Sequence, residues 1–90
     1  MRQVRILVMG RVQGVFFRDY TFRKAQSLLL KGFVSNIRSG GVEIEAQGEA
    51  SDIELLVQWC YEGAPMSMVE TVSVEELTVS ATLSSFSIIY

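Results

Sequence analysis

Apolar and polar residues alternate along the first part of the chain, in the stretch QVRILVM at residues 3–9. One side of this stretch carries three aliphatic residues, and the other carries Leu7 and Met9 beside Arg5. Apolar residues on both sides are typical of an internal strand of a sheet. We therefore predict a central strand over residues 3–9 that is buried largely on both faces.

The spacing changes after Gly10 and Gly14, two glycines that indicate a loop. Residues 19–30 then carry apolar side chains three and four positions apart, which is the period of a helix with one buried face. We predict a helix over residues 19–30 that ends at Gly32. The apolar positions are Phe22, Ala25, Leu28 and Leu29.

Two further strands are predicted over residues 33–38 and 42–47, joined by the turn residues Ser39-Gly40-Gly41. In the second of these strands apolar and polar residues alternate strictly, which is typical of a sheet with one packed face and one wet face. The polar side carries Glu43, Glu45 and Gln47.

A second helix is predicted from Ser51 to about Glu62. Ser51 and Glu54 have the spacing of a capping box, in which the two side chains satisfy free amides at a helix start. Gly63-Ala64-Pro65 ends the helix. Residues 68–78 and 83–90 are predicted as two more strands. The apolar stripe of this helix is Ile53, Leu56, Val57 and Cys60.

This order of elements predicts an α+β, ferredoxin-like fold, βαββαβ plus a C-terminal strand. It is a two-layer sandwich with two helices on one face of a mainly antiparallel sheet. Ninety residues fit a single domain spanning 1–90. The same plan serves enzymes, RNA binders and metal chaperones, so it does not by itself indicate a function.

The amino-acid composition excludes several kinds of functional site. Cys60 is the only cysteine and the chain has no histidine, which excludes an intramolecular disulfide, a Cys/His zinc site and histidine-based catalysis. The first residues lack an apolar run long enough for a signal sequence or a membrane span. We expect a cytoplasmic protein that does not enter a membrane.

Charge is unevenly distributed along the chain. All eight basic residues lie within residues 1–38 beside one acid, Asp19, and the other nine acids lie within residues 39–90. Such blocks indicate either a basic half that meets anions or a fold that brings the two halves together and cancels their fields.

The segment from Gly10 to Arg18, GRVQGVFFR, has the properties of an anion-binding loop. Its glycines let the backbone approach a ligand, and its amides precede a helix start, where anions are favoured. Arg18 adds a guanidinium fork that matches phosphate oxygens. A loop with two glycines is weak evidence alone, and the Gly-Lys-Ser/Thr ending of a nucleotide-binding P-loop is missing.

The string GRVQGVFFRDYT is followed by matching residues along nearly the whole chain, and together they resemble the acylphosphatase family. The matching residues are Ala25, Lys31-Gly32-Phe33-Val34-Ser35-Asn36, Gly40, Val42-Glu43, Gly48 and Trp59-Cys60. The resemblance implies the ferredoxin-like fold. It also implies hydrolysis of acyl phosphates to a carboxylate and phosphate, with no metal, no cofactor and no covalent intermediate.

The resemblance further implies roles for individual residues. Arg18 matches the catalytic arginine that grips the phosphoryl group, and Asn36 matches the catalytic asparagine that orients the attacking water. The phosphate is expected to meet the amides of the loop, and we expect the two phenylalanine side chains of the loop to pack on the core. The loop residues are Gln13, Gly14, Val15, Phe16 and Phe17.

Leu29 departs from the family pattern, which commonly has glycine near the end of the first helix. If Leu29 has a left-handed conformation, it costs about 1 kcal/mol. Ser39 also departs from the family pattern, which usually has aspartate in the hairpin turn.

Two alternatives stay open at this level. The chain could be a non-catalytic ferredoxin-like module that binds anions or RNA, but VEIEAQ at residues 42–47 is acidic where an RNA-binding sheet is basic and aromatic. It could also be the acylphosphatase-like domain of a larger carbamoyl-transfer protein, although a chain ending at Tyr90 favours a free-standing one. We expect a monomer that takes a small acyl phosphate and no nucleic acid.

Overall fold

Five strands form one sheet, and two helices pack against it. The computed structural model describes all residues from Met1 to Tyr90. The strands are β1 (Arg2–Arg11), β2 (Lys31–Asn36), β3 (Val42–Gly48), β4 (Met68–Leu77) and β5 (Phe86–Ile89), and the helices are α1 (Phe17–Ser27) and α2 (Ala50–Glu62).

The strand order in the sheet is β4-β1-β3-β2-β5. Neighbouring strands are antiparallel except β2 and β5, which are parallel. Strands β1, β2 and β5 therefore run in the same direction, and their carboxyl ends meet at one edge of the sheet. The predicted ferredoxin-like α+β fold with an additional C-terminal strand is confirmed.

The core lies between the sheet and the helices. Val4, Ile6 and Val8 of β1 are completely buried, and Ile44 of β3 lies beside Ile6 in the same layer. Helix α2 covers them with the stripe predicted from its spacing, since Ile53, Leu56, Val57 and Cys60 are all buried. Each fully buried aliphatic side chain contributes about 1.5–3 kcal/mol, so this layer provides much of the stability.

The opposite face of β1 is less buried than predicted. Arg5, Leu7 and Met9 are half-buried, because both helices pack on the other side of the sheet. Two residues on this face of the sheet are nevertheless buried, Gln3 of β1 and Gln47 of β3. The Nε2 of Gln47 donates to Oε1 of Gln3 at 3.1 Å, and the same oxygen accepts the amide of Ser80 at 2.6 Å.

Ion pairs join the basic first half of the chain to the acidic second half. Arg2 pairs with Glu54 and Glu76, and Arg5 lies among three glutamates. The Nε of Arg5 is 3.0 Å from a Glu43 oxygen but does not point at it as a hydrogen-bond donor would. The hydrogen bonds to Glu76 and to Glu75 raise the pKa of Arg2 and of Arg5, respectively. The glutamates around Arg5 are Glu43, Glu45 and Glu75.

The charge asymmetry is thus cancelled only in part. Arg2 and Arg5 account for every ion pair in the chain, and the other six basic residues form none. These six are Arg11, Arg18, Arg23, Lys24, Lys31 and Arg38.

Helix α1 is shifted relative to the prediction. It begins at Phe17 and ends at Ser27, after which Leu29 has a left-handed conformation with φ of 57°. Gly32 does not end the helix but lies inside β2 with φ of 139°. A Cβ at this position would lie 1.8 Å from the carbonyl oxygen of Glu45, so Gly32 is required by the close approach of β3.

The start of α2 also differs from the prediction. Its N-cap is Glu49, which makes no side-chain capping bond, and Ser51 lies inside the first turn. The predicted capping box of Ser51 and Glu54 is therefore wrong. Glu54 instead reaches Nη1 of Arg2 at 3.3 Å. Gly63 ends the helix as predicted, with φ of 74°.

The remaining elements agree with the prediction except for the bounds of β2 and the length of the last strand. Strand β2 spans Lys31–Asn36 rather than residues 33–38. The turn between β2 and β3 is closed by the amide of Gly40, which donates to the carbonyl of Ile37 at 3.0 Å. Strand β5 begins at Phe86 rather than at residue 83, and only four of its residues pair with β2.

Candidate active site

A cavity of about 400 Å³ lies at the edge of the sheet where β1, β2 and β5 end and α1 begins. Its wall therefore combines residues that are far apart in the sequence. The lining residues are Val12, Gly14, Phe16, Phe17, Arg18, Asp19, Asn36 and Tyr90.

The loop beside the cavity is shorter than the predicted loop over residues 10–18. Strand β1 continues through a bulge at Gly10 to Arg11, and α1 already begins at Phe17. Gly10 has φ of 125°, and a Cβ there would lie 2.3 Å from the carbonyl oxygen of Met68. Gly14 has φ of 75° and open space around it, so the turn itself requires this glycine.

The amides of Gly14, Val15 and Phe16 donate no hydrogen bond to the backbone. They directly precede the first turn of α1, where unpaired amides and the helix dipole favour an anion. The N-cap residue, Phe16, provides no side-chain acceptor that would compete for these donors. The segment thus has the donor pattern of an anion site.

The two phenylalanines of the loop have different environments. Phe17 is buried and packs against Trp59, with the ring centroids 5.3 Å apart, as expected for a residue that anchors the loop. Phe16 is 71% exposed, so the prediction that it packs on the core is wrong. Its φ of 62° is left-handed, and this turn of the backbone leaves the ring at the cavity wall.

Arg18 is held at the cavity by the end of β5. Its Nη1 donates to the carbonyl of Ile89 at 3.2 Å, and its Cζ lies 5.0 Å from the centroid of the Tyr90 ring. It forms no ion pair with a carboxylate. A guanidinium has five N–H donors, so most of them stay available to a ligand.

Asn36 is the last residue of β2 and lines the same cavity. In the register of the sheet it shares a face with Val34 and lies opposite Val42 of β3. This is the face that packs against the helices, so the strand end presents Asn36 on the side of α1.

The side chain of Gln13 joins the loop to the hairpin that carries Asn36. Its Nε2 donates to the carbonyls of Ile37 at 2.7 Å and of Gly41 at 2.8 Å. The sequence predicted only a backbone role for Gln13 and gave no signal for these bonds, which depend on the packing of loop and hairpin.

The structure brings five of the seven predicted site residues to the cavity wall. Val15 is buried in the core, and Gln13 does not line the cavity but donates to the hairpin. Val12, Asp19 and Tyr90 also line the cavity and were not predicted. Val12 and Asp19 adjoin the loop motif in the sequence, but Tyr90 reaches the site only because β5 pairs with β2.

The described chain contains no cluster of three or more His, Cys, Asp or Glu side chains that could hold a metal ion. Neither helix has the length and hydropathy needed to cross a membrane.

The sequence model of the acylphosphatase family matches residues 4–88. The chain belongs to the acylphosphatase family. Its enzyme class is accordingly that of an acylphosphatase, a hydrolase, as the resemblance of the GRVQGVFFR string implied.

Individual acylphosphatases are similar over most of their length. The acylphosphatase of Rubrobacter xylanophilus is 46% identical over 87 residues, which are 97% of this chain and 79% of the relative. The crystal structure of an acylphosphatase from Bacillus subtilis superposes with a TM-score of 0.95 at 40% identity and covers 100% of both chains.

A larger protein contains a similar domain. The structure of full-length HypF in a phosphate- and nucleotide-bound form matches with a TM-score of 0.87 at 33% identity, over 99% of this chain but 12% of HypF. The similar acylphosphatases are covered over most of their own length. These matches therefore do not favour the alternative that the chain is a domain of a larger protein.

Proposed function

We propose that this chain hydrolyses acyl phosphates at the cavity beside α1, with Arg18 and Asn36 as its catalytic residues. One observation carries the proposal. A cation at the start of α1 and an amide at the end of β2 line the same cavity of about 400 Å³, next to a loop with unpaired amides.

Arg18 binds the phosphoryl group. Its guanidinium forms bidentate hydrogen bonds to two phosphate oxygens and offsets the charge on the equatorial oxygens during transfer. Each charge-assisted bond of this kind contributes about 1.5–3 kcal/mol. The contact with Tyr90 and the hydrogen bond to Ile89 hold the guanidinium at the cavity wall before the substrate arrives, so less reorganisation is needed.

The loop supplies the remaining phosphate donors. The amides of Gln13, Gly14, Val15, Phe16 and Phe17 surround the phosphoryl group at the N-terminus of α1, as in other helix-end anion sites. The free donors of Gly14, Val15 and Phe16 support this assignment.

Asn36 orients the attacking water. The water oxygen bonds to phosphorus as the bond between phosphorus and the acyl oxygen breaks, and the electron pair leaves on the carboxylate. An amide is a poor base, so one water proton goes to a phosphate oxygen of the substrate itself. The products are a carboxylate and dihydrogen phosphate, which balance the dianionic substrate and the water.

The substrate class follows from this sparse chemistry. The leaving carboxylate is stable and needs no acid to protonate it, whereas the alkoxide of a phosphate monoester does. We expect acyl phosphates to be cleaved and phosphate monoesters to be poor substrates.

We also propose that residues 1–90 act as one domain and as a monomer. One continuous core of 18 residues supports the single domain. The buried free thiol of Cys60 supports a cytoplasmic location. Sedimentation equilibrium tests the monomer, and a dimer would contradict it.

The test of the mechanism compares wild type, Arg18→Ala and Asn36→Ala with benzoyl phosphate as substrate and inorganic phosphate as a calorimetric ligand. Arg18→Ala should bind phosphate about 10- to 150-fold more weakly and lose turnover. Asn36→Ala should lose about 100-fold in kcat but bind phosphate normally, because it only misplaces the water.

Matched controls lie on the same elements. Arg23→Ala removes an exposed arginine of α1 that stacks on Tyr20 and does not line the cavity. Ser39→Ala changes an exposed residue of the turn that follows Asn36. Both controls should retain wild-type turnover. Equal, background rates in wild type and all variants would refute the proposed function.

A further inference from the structure

The two halves of the proposed site are joined by one side chain. Both hydrogens of the Gln13 amide are used, one toward the carbonyl of Ile37 and one toward that of Gly41, at 2.7 and 2.8 Å. Gln13 belongs to the phosphate loop, while both acceptors belong to the hairpin between β2 and β3.

The acceptors lie on either side of Asn36. Ile37 directly follows Asn36 in the chain, and Gly41 directly precedes Val42, the residue opposite Asn36 in the register. The Gln13 side chain therefore braces the base of the hairpin, on both of its strands, against the loop. It sets the separation between the amides that bind phosphate and the amide that orients water.

We propose that Gln13 is a positioning residue, which holds Asn36 in register with the phosphate bound by the loop. This inference rests on the proposed function of Arg18 and Asn36. It assigns to the side chain of Gln13 a role separate from the phosphate contact of its backbone.

The other hydrogen bonds of the two carbonyls indicate that the Gln13 side chain positions the hairpin rather than stabilises the fold. The carbonyl of Ile37 also accepts the amide of Gly40 at 3.0 Å, and the carbonyl of Gly41 accepts the amide of Ile37 at 2.9 Å. Removing the Gln13 side chain leaves each carbonyl with a donor, so no buried group loses its only partner. What is lost is the fixed distance between loop and hairpin, and an error of 1 Å in such a distance lowers a rate about 100-fold.

The first experiment measures kcat with benzoyl phosphate and calorimetric binding of inorganic phosphate for wild type, Gln13→Ala and Gln13→Met. Methionine has a similar length and no amide donors. We expect kcat to fall about 10- to 100-fold in both variants. Phosphate affinity should stay near that of the wild type, because the loop amides and Arg18 remain.

Gln58→Ala is the matched control, since Gln58 is exposed on α2 and does not line the cavity. Circular dichroism and thermal unfolding establish that each variant is folded. A wild-type kcat in Gln13→Ala and Gln13→Met would overturn the inference and leave the proposed function intact. A wild type without turnover would instead refute the proposed function.

A further variant, Gln13→Glu, should show a pH dependence of kcat that a purely structural role of Gln13 would not produce. In Gln13→Glu the ionised carboxylate faces two carbonyl oxygens and repels both, but the protonated acid can donate to one of them. The ratio of variant to wild-type kcat should therefore rise as the pH falls toward the pKa of this carboxyl group. A ratio that stays constant between pH 8 and about pH 5 would contradict the assignment.

Discussion

The guanidinium of Arg18 lies over the ring of Tyr90, with its Cζ 5.0 Å from the ring centroid. The neighbouring carbonyl of Ile89 accepts a hydrogen bond from the same guanidinium at 3.2 Å. The two residues are 72 positions apart and meet because β5 runs parallel to β2, which brings its end to the cavity. The end of β5 thus holds Arg18, the cation of the proposed phosphate site, at the cavity wall.

Replacement of Tyr90 tests this contact. A cation–π contact at an exposed site contributes about 0.5–1 kcal/mol, so Tyr90→Ala should weaken phosphate binding about two- to fivefold, as measured by calorimetry. Tyr90→Phe keeps the ring and should bind as the wild type does. Tyr61→Ala, at an exposed position of α2, is the control for losing a surface tyrosine. Identical affinities in Tyr90→Ala and wild type would show that the stacking has no effect.

Phe16 combines an unfavourable backbone with an exposed ring. Its φ is 62°, a conformation that costs a residue with a Cβ about 1–2 kcal/mol. Phe16→Gly should therefore raise the melting temperature by a few degrees. The same change removes an apolar part of the cavity wall, so the KM for benzoyl phosphate should rise more than the KM for acetyl phosphate.

Phe16→Leu separates the two effects of that position. Leucine keeps an apolar side chain in the left-handed conformation, so neither the melting temperature nor the ratio of the two KM values should change much. If Phe16→Gly leaves that ratio at its wild-type value, the ring does not contact the acyl group.

Leu29 offers a simpler test of backbone strain. It is 86% exposed and has φ of 57°, so a leucine there gains little from burial and strains the backbone. Leu29→Gly should stabilise the fold by about 0.5–1 kcal/mol in urea unfolding, since relief of strain exceeds the entropy that glycine adds to the unfolded chain. Leu55→Gly, at an exposed position inside α2, should instead destabilise by about 1 kcal/mol.

Ionisation of the Cys60 thiol makes the free energy of unfolding depend on pH in the alkaline range. Burial raises the pKa of its thiol from 9.0 to about 12, because the buried site disfavours the thiolate. Below pH 9 the thiol is neutral in both states, and its pKa shift has no effect on stability. Between pH 9 and about 12 only the unfolded chain ionises, so the free energy of unfolding falls by about 1.4 kcal/mol per pH unit.

Urea unfolding of wild type and Cys60→Ala from pH 8 to 11 measures this contribution. All other ionisable groups are common to both proteins, so the informative quantity is the difference between the unfolding free energies of wild type and Cys60→Ala. That difference should stay constant up to pH 9 and then shrink as the wild type loses stability. A difference that is constant up to pH 11 would mean that the thiol ionises equally in both states.

Much of the fold could be predicted from local patterns. Period-2 and helical spacing located all seven elements, because the side chains that alternate along β3 and α2 are those that the sheet and helices bury. The wrong predictions concern positions where tertiary contacts, rather than the local sequence, determine the structure. The sequence indicates a helix end at Gly32, but this glycine is required by the close approach of Glu45 on β3. The sequence also indicates a cap at Ser51, but Glu54, the second residue of that capping box, pairs with Arg2.

The candidate site shows the same limit. Arg18 and Asn36 could be predicted because a family motif carries them, and the fold places both at one cavity. Tyr90 could not be predicted, since nothing in its neighbourhood reveals that β5 pairs with β2. The bracing role of Gln13 needs the positions of two carbonyls more than 20 residues away.

The common direction of β1, β2 and β5 has a practical consequence for fusion and immobilisation. Residues joined after Tyr90 would begin beside Arg18 and crowd the mouth of the cavity. Met1 is exposed and lies at the opposite end of β1, about 30 Å away for a strand of this length. An affinity tag or a surface linker therefore belongs before Met1, where it leaves the cavity facing the solution.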